Sequence, residues 1–168
     1  LSDIILSTGE LDRMTGFDPA TGNVSCEAGV TIDDLVRTFL PRGFFPAVTP
    51  GTKFVSVGGA VAADVHGKNH HVEGTFSSHV ASVTIMLPDG RIAKCSPELE
   101  PELFRATCGG MGLTGVILET EVRLVRVPSS WIRQISEKAS CLDEIMDKFE
   151  EYAGCPYTVA WIDCVSSG

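Results

Sequence analysis

The chain has 168 residues, 43% of them hydrophobic and 21% charged, enough to bury a sizeable core in one domain or in one domain and part of another. Its formal net charge of −9, with no basic cluster to interrupt it, excludes a general nucleic-acid surface and leaves any anionic ligand to local donors. No apolar run approaches the roughly 20 residues that span a bilayer, and no signal peptide is visible within these residues.

In chain order, residues 3–6 and 23–28 read as strands joined through the turn residues Asp18-Pro19-Ala20-Thr21-Gly22. Thr31 reads as the N-cap of a helix. Ile32, Leu35, Val36 and Phe39 recur at helical spacing, Asp33 and Asp34 occupy its first turn, and Gly43 follows its end. The small-residue stretch Ser56 to Ala63 predicts a short helix that packs close to a neighbour and presents its amino end to a ligand. Val80–Leu87 and Arg91–Cys95 flank Pro88-Asp89-Gly90 as a hairpin, and Pro101–Thr107 is a short helix.

Val116–Val127 alternates, with Leu118, Thr120, Val122 and Leu124 on one face and Glu119, Glu121 and Arg123 on the other, as in a half-buried strand. Pro128-Ser129-Ser130 marks a domain boundary. Beyond it Trp131–Ser136 reads as a strand, Ser140–Tyr152 as an amphipathic helix capped by Ser140, and Tyr157–Val165 as another strand. The expected domains are therefore 1–127 and 128–168.

Pro50 to His71 carries most of the chemistry. Two glycine-bearing turns accompany a run of very small residues, and His66 and Lys68 then flank Gly67. Small side chains let a ligand approach the backbone, which suits a large, planar, anionic cofactor. Gly110-Met111-Gly112-Leu113-Thr114-Gly115 matches GxGxxG, but a helix precedes it and a strand follows. A dinucleotide fingerprint needs the reverse order. The glycines there require close approach of either a ligand or a neighbouring backbone.

His66, His70, His71 and His79 lack acidic or cysteine partners at zinc-motif spacing, so no metal is expected. Lys68 reads either as a solvated lysine or as an anion or substrate contact. Cys26, Cys95, Cys108, Cys141, Cys155 and Cys164 form no CxxC pair and read as free thiols in a reducing compartment. No Gly-x-Ser-x-Gly elbow, Walker loop or HExxH occurs.

Pro50-Gly51-Thr52, Val57-Gly58-Gly59-Ala60 and His66-Gly67-Lys68-Asn69-His70-His71 together resemble the FAD-binding domain of the vanillyl-alcohol-oxidase-like flavoproteins, the PCMH-type domain. Glu27-Ala28-Gly29-Val30, Pro88-Asp89-Gly90, Glu102-Leu103-Phe104, the 109–115 glycine run and Ala160-Trp161-Ile162-Asp163 keep that family's order. The likeness covers almost the whole chain, and the His-Gly-Lys-Asn-His-His string is specific to a subgroup of sugar oxidases.

The resemblance implies an α+β fold: the second subdomain of a PCMH-type FAD-binding domain, then the first β-α-β unit of a substrate or cap domain. It implies FAD as cofactor. Gly51, Thr52, Ser56, Gly58 and Gly59 would meet the pyrophosphate and flavin. Ala62, Ala63, Val65, His66 and Gly67 would line the isoalloxazine, and Gly112, Gly115 and Ile117 would close over another part.

His66 and Lys68 take the catalytic positions, and Lys68 and Trp161 the substrate side. The implied chemistry is hydride removal from a sugar hydroxyl to the flavin, with a free or polyprenyl-linked sugar as substrate and a partner reductase. The implied location is cytoplasmic or peripheral to the inner membrane. An aldonolactone or alditol oxidase, or a non-catalytic domain retaining the fold, are the alternatives. Met111 and Ala63 depart from the family's asparagine and cysteine. A first subdomain with its own phosphate loop is expected before residue 1 and the rest of the substrate domain after residue 168, so this piece alone is expected to be inactive.

Overall fold

The computed structural model describes residues 6–165. Its chain divides into two units, one running to Ser130 and the other beginning at Trp131.

The first unit is built around an antiparallel sheet. Strands β1 (Met14–Asp18), β2 (Asn23–Glu27), β3 (Phe44–Pro46), β4 (Val80–Met86), β5 (Ile92–Cys95) and β6 (Val116–Arg126) take the order β1-β2-β6-β4-β5, with β3 pairing the far end of β6. Every pairing is antiparallel. With helices α1 (Ile32–Phe39), α2 (Val57–Ala62) and α4 (Pro101–Thr107) against it and the short α3 (His70–Glu73) beside them in the chain, the architecture is α+β.

One sheet face supplies the core: Val24, Cys26, Thr120, Val122, Leu124, Val83 and Ile85 are buried there, and Ile32, Leu35, Phe39, Val57, Ala60 and Val61 of α1 and α2 join the same cluster. The other face is polar and bonded across strands. Thr15 donates to Glu119 at 2.8 Å, and Asn23 Nδ2 and the Ser82 hydroxyl both donate to Glu121.

Local signals explain most element ends. Thr31 and Asp34 form a reciprocal capping box at α1, the Thr31 hydroxyl accepting from Asp34 N–H and the Asp34 carboxylate from Thr31 N–H. Asp33 accepts from Arg37 and from Lys53, tying the 50–55 loop to the same helix. Asp89 and Gly90 close the β4–β5 hairpin, and Gly90 takes a left-handed φ of +83°.

Four expectations need correction. The 18–22 turn is present, but the strand it joins to β2 is β1, not residues 3–6, of which 3–5 lie outside the described residues. The alternation of β6 slips at Leu118: Thr84 pairs with Glu119 and Ile85 with Ile117, so Leu118 is a bulge and Ile117 is turned into the buried face.

The second unit contains α5 (Leu142–Glu151), but residues 131–136 and 157–165 form no strands, so the expected β-α-β unit is absent among the described residues. A strand requires a ladder partner, and neither segment has one among the described residues. Their apolar side chains are correspondingly open, with Trp131 90% and Trp161 89% exposed. Finally, Cys141 rather than Ser140 is the α5 N-cap residue. Ser140 instead gives both its N–H and its hydroxyl to Glu144.

Candidate functional site: a bare-walled cleft

Helix α2 is placed by the segment that precedes α1. Val57 N–H donates to Val30 at 2.7 Å, Gly58 N–H to Ala28 at 2.8 Å and Ile32 N–H to Val55 at 3.0 Å, so residues 28–32 and 55–58 run side by side. Gly58 has to be glycine: a Cβ there would lie 2.8 Å from the Ala28 Cβ and 3.1 Å from its carbonyl oxygen. Ser56 caps the helix by accepting from Gly59 N–H. The N–H groups of Gly58 and Gly59 are thus bonded within the protein, and the exposed Gly59 offers bare Cα surface to a ligand.

The helix buries Val57, Gly58, Ala60 and Val61. Its opposite stripe is Ser56, Gly59, Ala62 and Ala63, which are half-buried or exposed. An ordinary surface helix turns charged or long polar side chains outward. This one turns out nothing larger than a methyl or hydroxymethyl group. Ser56, Gly59 and Ala62 of this stripe form one wall of an open cleft of about 230 Å³, lined by Thr8, Ala28, Ser56, Gly58, Gly59, Ala62, Val116 and Ile117. The β6 bulge delivers Ile117 to it.

Five residues expected at the cofactor therefore converge: Ser56, Gly58, Gly59, Ala62 and Ile117. Thr8, Ala28 and Val116 complete the lining and carried no site assignment in the sequence. Ala28 and its neighbour Gly29 did carry a signal, because a Cβ on Gly29 would stand 2.7 Å from both the Thr8 and Leu11 carbonyls. Glu27 fastens this corner by accepting from the Arg13 guanidinium at 2.7 Å and from Arg13 N–H at 2.9 Å, which holds its carboxyl below the usual range.

The 109–115 run abuts the other end of α2, with Gly109 N–H donating to Val61 and Met111 N–H to Ala62. Here a neighbouring backbone accounts for two of the four glycines. A Cβ on Gly110 would come within 2.1 Å of the Ala106 carbonyl, and one on Gly115 within 2.3 Å of the Met86 carbonyl. Gly112 has open space around it.

Past α2, Val65 N–H donates to Ala60 and its carbonyl accepts from Phe76 N–H. His66 forms an isolated bridge with Thr75, and its ring meets that of His70 at 5.6 Å. His66 and Lys68 are exposed on either side of Gly67. Gly51 and Thr52 are exposed in the loop before α2. None of these, nor Ala63, Val65, Gly67, Gly112 or Gly115, lines the cleft itself. Trp161 belongs to the second unit. Among the described residues no group of three or more His, Cys, Asp or Glu side chains is arranged to hold a metal ion.

The sequence pattern of a family described as an FAD binding domain matches residues 1–96, more than half of the chain. The chain belongs to this FAD-binding family. FAD is its cofactor, and the bare, concave wall of α2 fits a flat ring system better than it fits a hydrated ion.

Among relatives of known activity, decaprenylphosphoryl-beta-D-ribose oxidase of Mycolicibacterium smegmatis is 34% identical over 97% of this chain and 36% of its own length. L-gulonolactone oxidase of Mus musculus is 27% identical over 88% of this chain and 33% of its own. D-arabinono-1,4-lactone oxidase of Yarrowia lipolytica is 29% identical over 74% and 24%. The FAD-binding family is thus one of oxidoreductases, and the chain spans about a third or less of these relatives.

Proposed function

We propose that this chain is the second subdomain of a PCMH-type FAD-binding domain, followed by the start of a substrate domain. The whole protein would oxidise a secondary hydroxyl of a polyprenyl-phosphate-linked pentose, as a decaprenylphosphoryl-ribose 2′-oxidase does. The observation that carries the reading is the stripe Ser56, Gly59, Ala62 and Ala63, a helix face without a solvating side chain beside an open cleft.

Bound FAD would supply the hydride acceptor at flavin N5. The residues of this chain bind and orient. Gly58, Gly59 and Ala62 give the flat wall, Ser56 retains a hydroxyl proton to donate, and Ile117 excludes water from the floor. His66 and Lys68 stand on the substrate side, exposed at the turn that follows the wall. His66 takes the hydroxyl proton on a ring nitrogen, and the Lys68 ammonium attracts the phosphate-bearing part of the substrate. Gly51, Thr52, Ala63, Val65, Gly67, Gly112 and Gly115 border the cofactor.

A polyprenyl substrate brings the protein to a membrane surface, so it is read as peripheral or cytoplasmic, with a partner reductase as one route for reoxidation. No described helix is long and apolar enough to cross a membrane.

The test is anaerobic flavin bleaching in the purified full-length protein. A polyprenylphosphoryl pentose should bleach the flavin, whereas an aldonolactone or an alditol should not. Bleaching by the lactone alone would transfer the assignment to the aldonolactone oxidases. A colourless protein that FAD cannot reconstitute would leave only a non-catalytic domain.

A further inference from the structure

The turn that carries His66 and Lys68 is held at both sides. Upstream, Val65 is bonded to α2 through Ala60. Downstream, beside the His66–Thr75 bridge and the His79–Glu73 contacts, one buried side chain ties the turn to β3. Asn69 is 2% exposed, although Lys68 and His70 on either side of it are exposed. Its Nδ2 donates to the Ala47 carbonyl at 2.7 Å, across 22 residues, in the buried Ala47-Val48 tail of β3. Its own carbonyl accepts from the N–H groups of Val72 and Glu73, both at 2.9 Å, and so starts α3.

The other end of the same amide shapes Gly67. A Cβ on Gly67 would stand 2.6 Å from Asn69 Oδ1 and 2.9 Å from the Thr49 carbonyl, so the turn fits between them only without a side chain. Oδ1 is buried and has no hydrogen-bond partner among the described residues. Leaving a buried acceptor unmet is costly, and an apolar side chain of similar size would avoid it. What such a side chain would lose is the donor to Ala47.

We propose that Asn69 is a positioning residue: its amide bond to Ala47 sets the register of His66 and Lys68 relative to the flavin wall. The proposal rests on the flavin-oxidase reading above. Asn69 touches neither substrate nor cofactor and acts through the turn.

The test uses full-length protein carrying Asn69→Ala or Asn69→Asp, with three readouts: bound FAD, visible circular dichroism of the flavin, and the rate of anaerobic flavin reduction by a farnesylphosphoryl pentose. Asn69→Ala should keep its FAD, alter the flavin dichroism and slow reduction roughly 100-fold, the scale of an ångström of misplacement. Asn69→Asp should match it at alkaline pH. As pH falls it should recover, because a protonated carboxyl can again donate to the Ala47 carbonyl and burial raises its pKa.

Rates are taken as ratios to the unaltered protein at each pH, which removes the titration of His66, His70, His79, Glu73 and Lys68 nearby. Unchanged rate and dichroism in both variants would overturn the proposal, as would Asp and Ala variants that respond alike to pH. Failure of both variants to fold at any pH would make Asn69 a folding residue and also overturn it. An unaltered protein without flavin would sink the underlying reading instead, and one whose flavin the sugar leaves oxidised would still be decided by the dichroism.

Discussion

The two glycine-rich stretches, 56–63 and 109–115, look alike in composition and differ in what their glycines face. In the second, Gly110 and Gly115 are demanded by carbonyls of the protein itself, at 2.1 Å and 2.3 Å from a would-be Cβ. In the first, Gly58 meets Ala28, but Gly59 lies with Ser56, Ala62 and Ala63 on an open helix face. Glycine density by itself therefore does not mark a ligand. A helix face that ought to carry solvating side chains and carries none does.

The difference can be broken one residue at a time. Gly115→Ala should have the largest effect on the fold. Its Cβ would strike the Met86 carbonyl, and its φ of +152° is poorly open to alanine, so stability should fall by roughly 3 kcal/mol in urea unfolding. Gly112→Ala meets no neighbour, so the left-handed backbone at φ +78° sets the cost at about 1 kcal/mol. If the two variants proved equally mild, the backbone explanation of the second stretch would be wrong.

The smallest effect concerns the corner beside the cleft. Arg13 holds the Glu27 carboxyl below its usual range, chiefly through its guanidinium hydrogen bonds. A depressed carboxylate contributes its stability above the unfolded-state pKa, about 4.3 for Glu, and loses it as pH falls through the folded value. The urea midpoint should therefore drop modestly on acidification below that point, and Glu27→Gln should flatten part of the drop.

Much of this was legible in the chain wherever a signal was local. Thr31 with Asp34, the 32-35-36-39 spacing and Pro88-Asp89-Gly90 each specify their element from a few adjacent residues. The α2 helix was legible too, and so was its unusual smallness. What escaped depends on partners distant in sequence. β1 has Gly16 at its centre and a register shift, so it carries no alternation to read. The Leu118 bulge exists only because β4 pairs as it does, and it is the bulge that brings Ile117 to the cleft. Thr8 and Val116 reach the same cleft from more than a hundred residues apart. The apolar content of 131–136 and 157–165 read as strands, yet apolar residues supply a face and not the neighbouring ladder that a strand needs.

The central claim is that the bare stripe of α2 holds the flavin cofactor, and Gly59→Leu tests it most directly. Gly59 is exposed, its nearest obstacle is the capping Ser56 hydroxyl at 3.1 Å, and the cost of shifting that cap is offset by a helix preference for leucine over glycine of roughly 0.5–1 kcal/mol. FAD is titrated into the flavin-stripped full-length protein with and without the substitution, followed by flavin fluorescence, with urea unfolding in parallel. The account predicts an unchanged or raised urea midpoint and an affinity for FAD lower by roughly 100-fold, about 2.7 kcal/mol. Equal affinity in the two proteins, at equal stability, would contradict it.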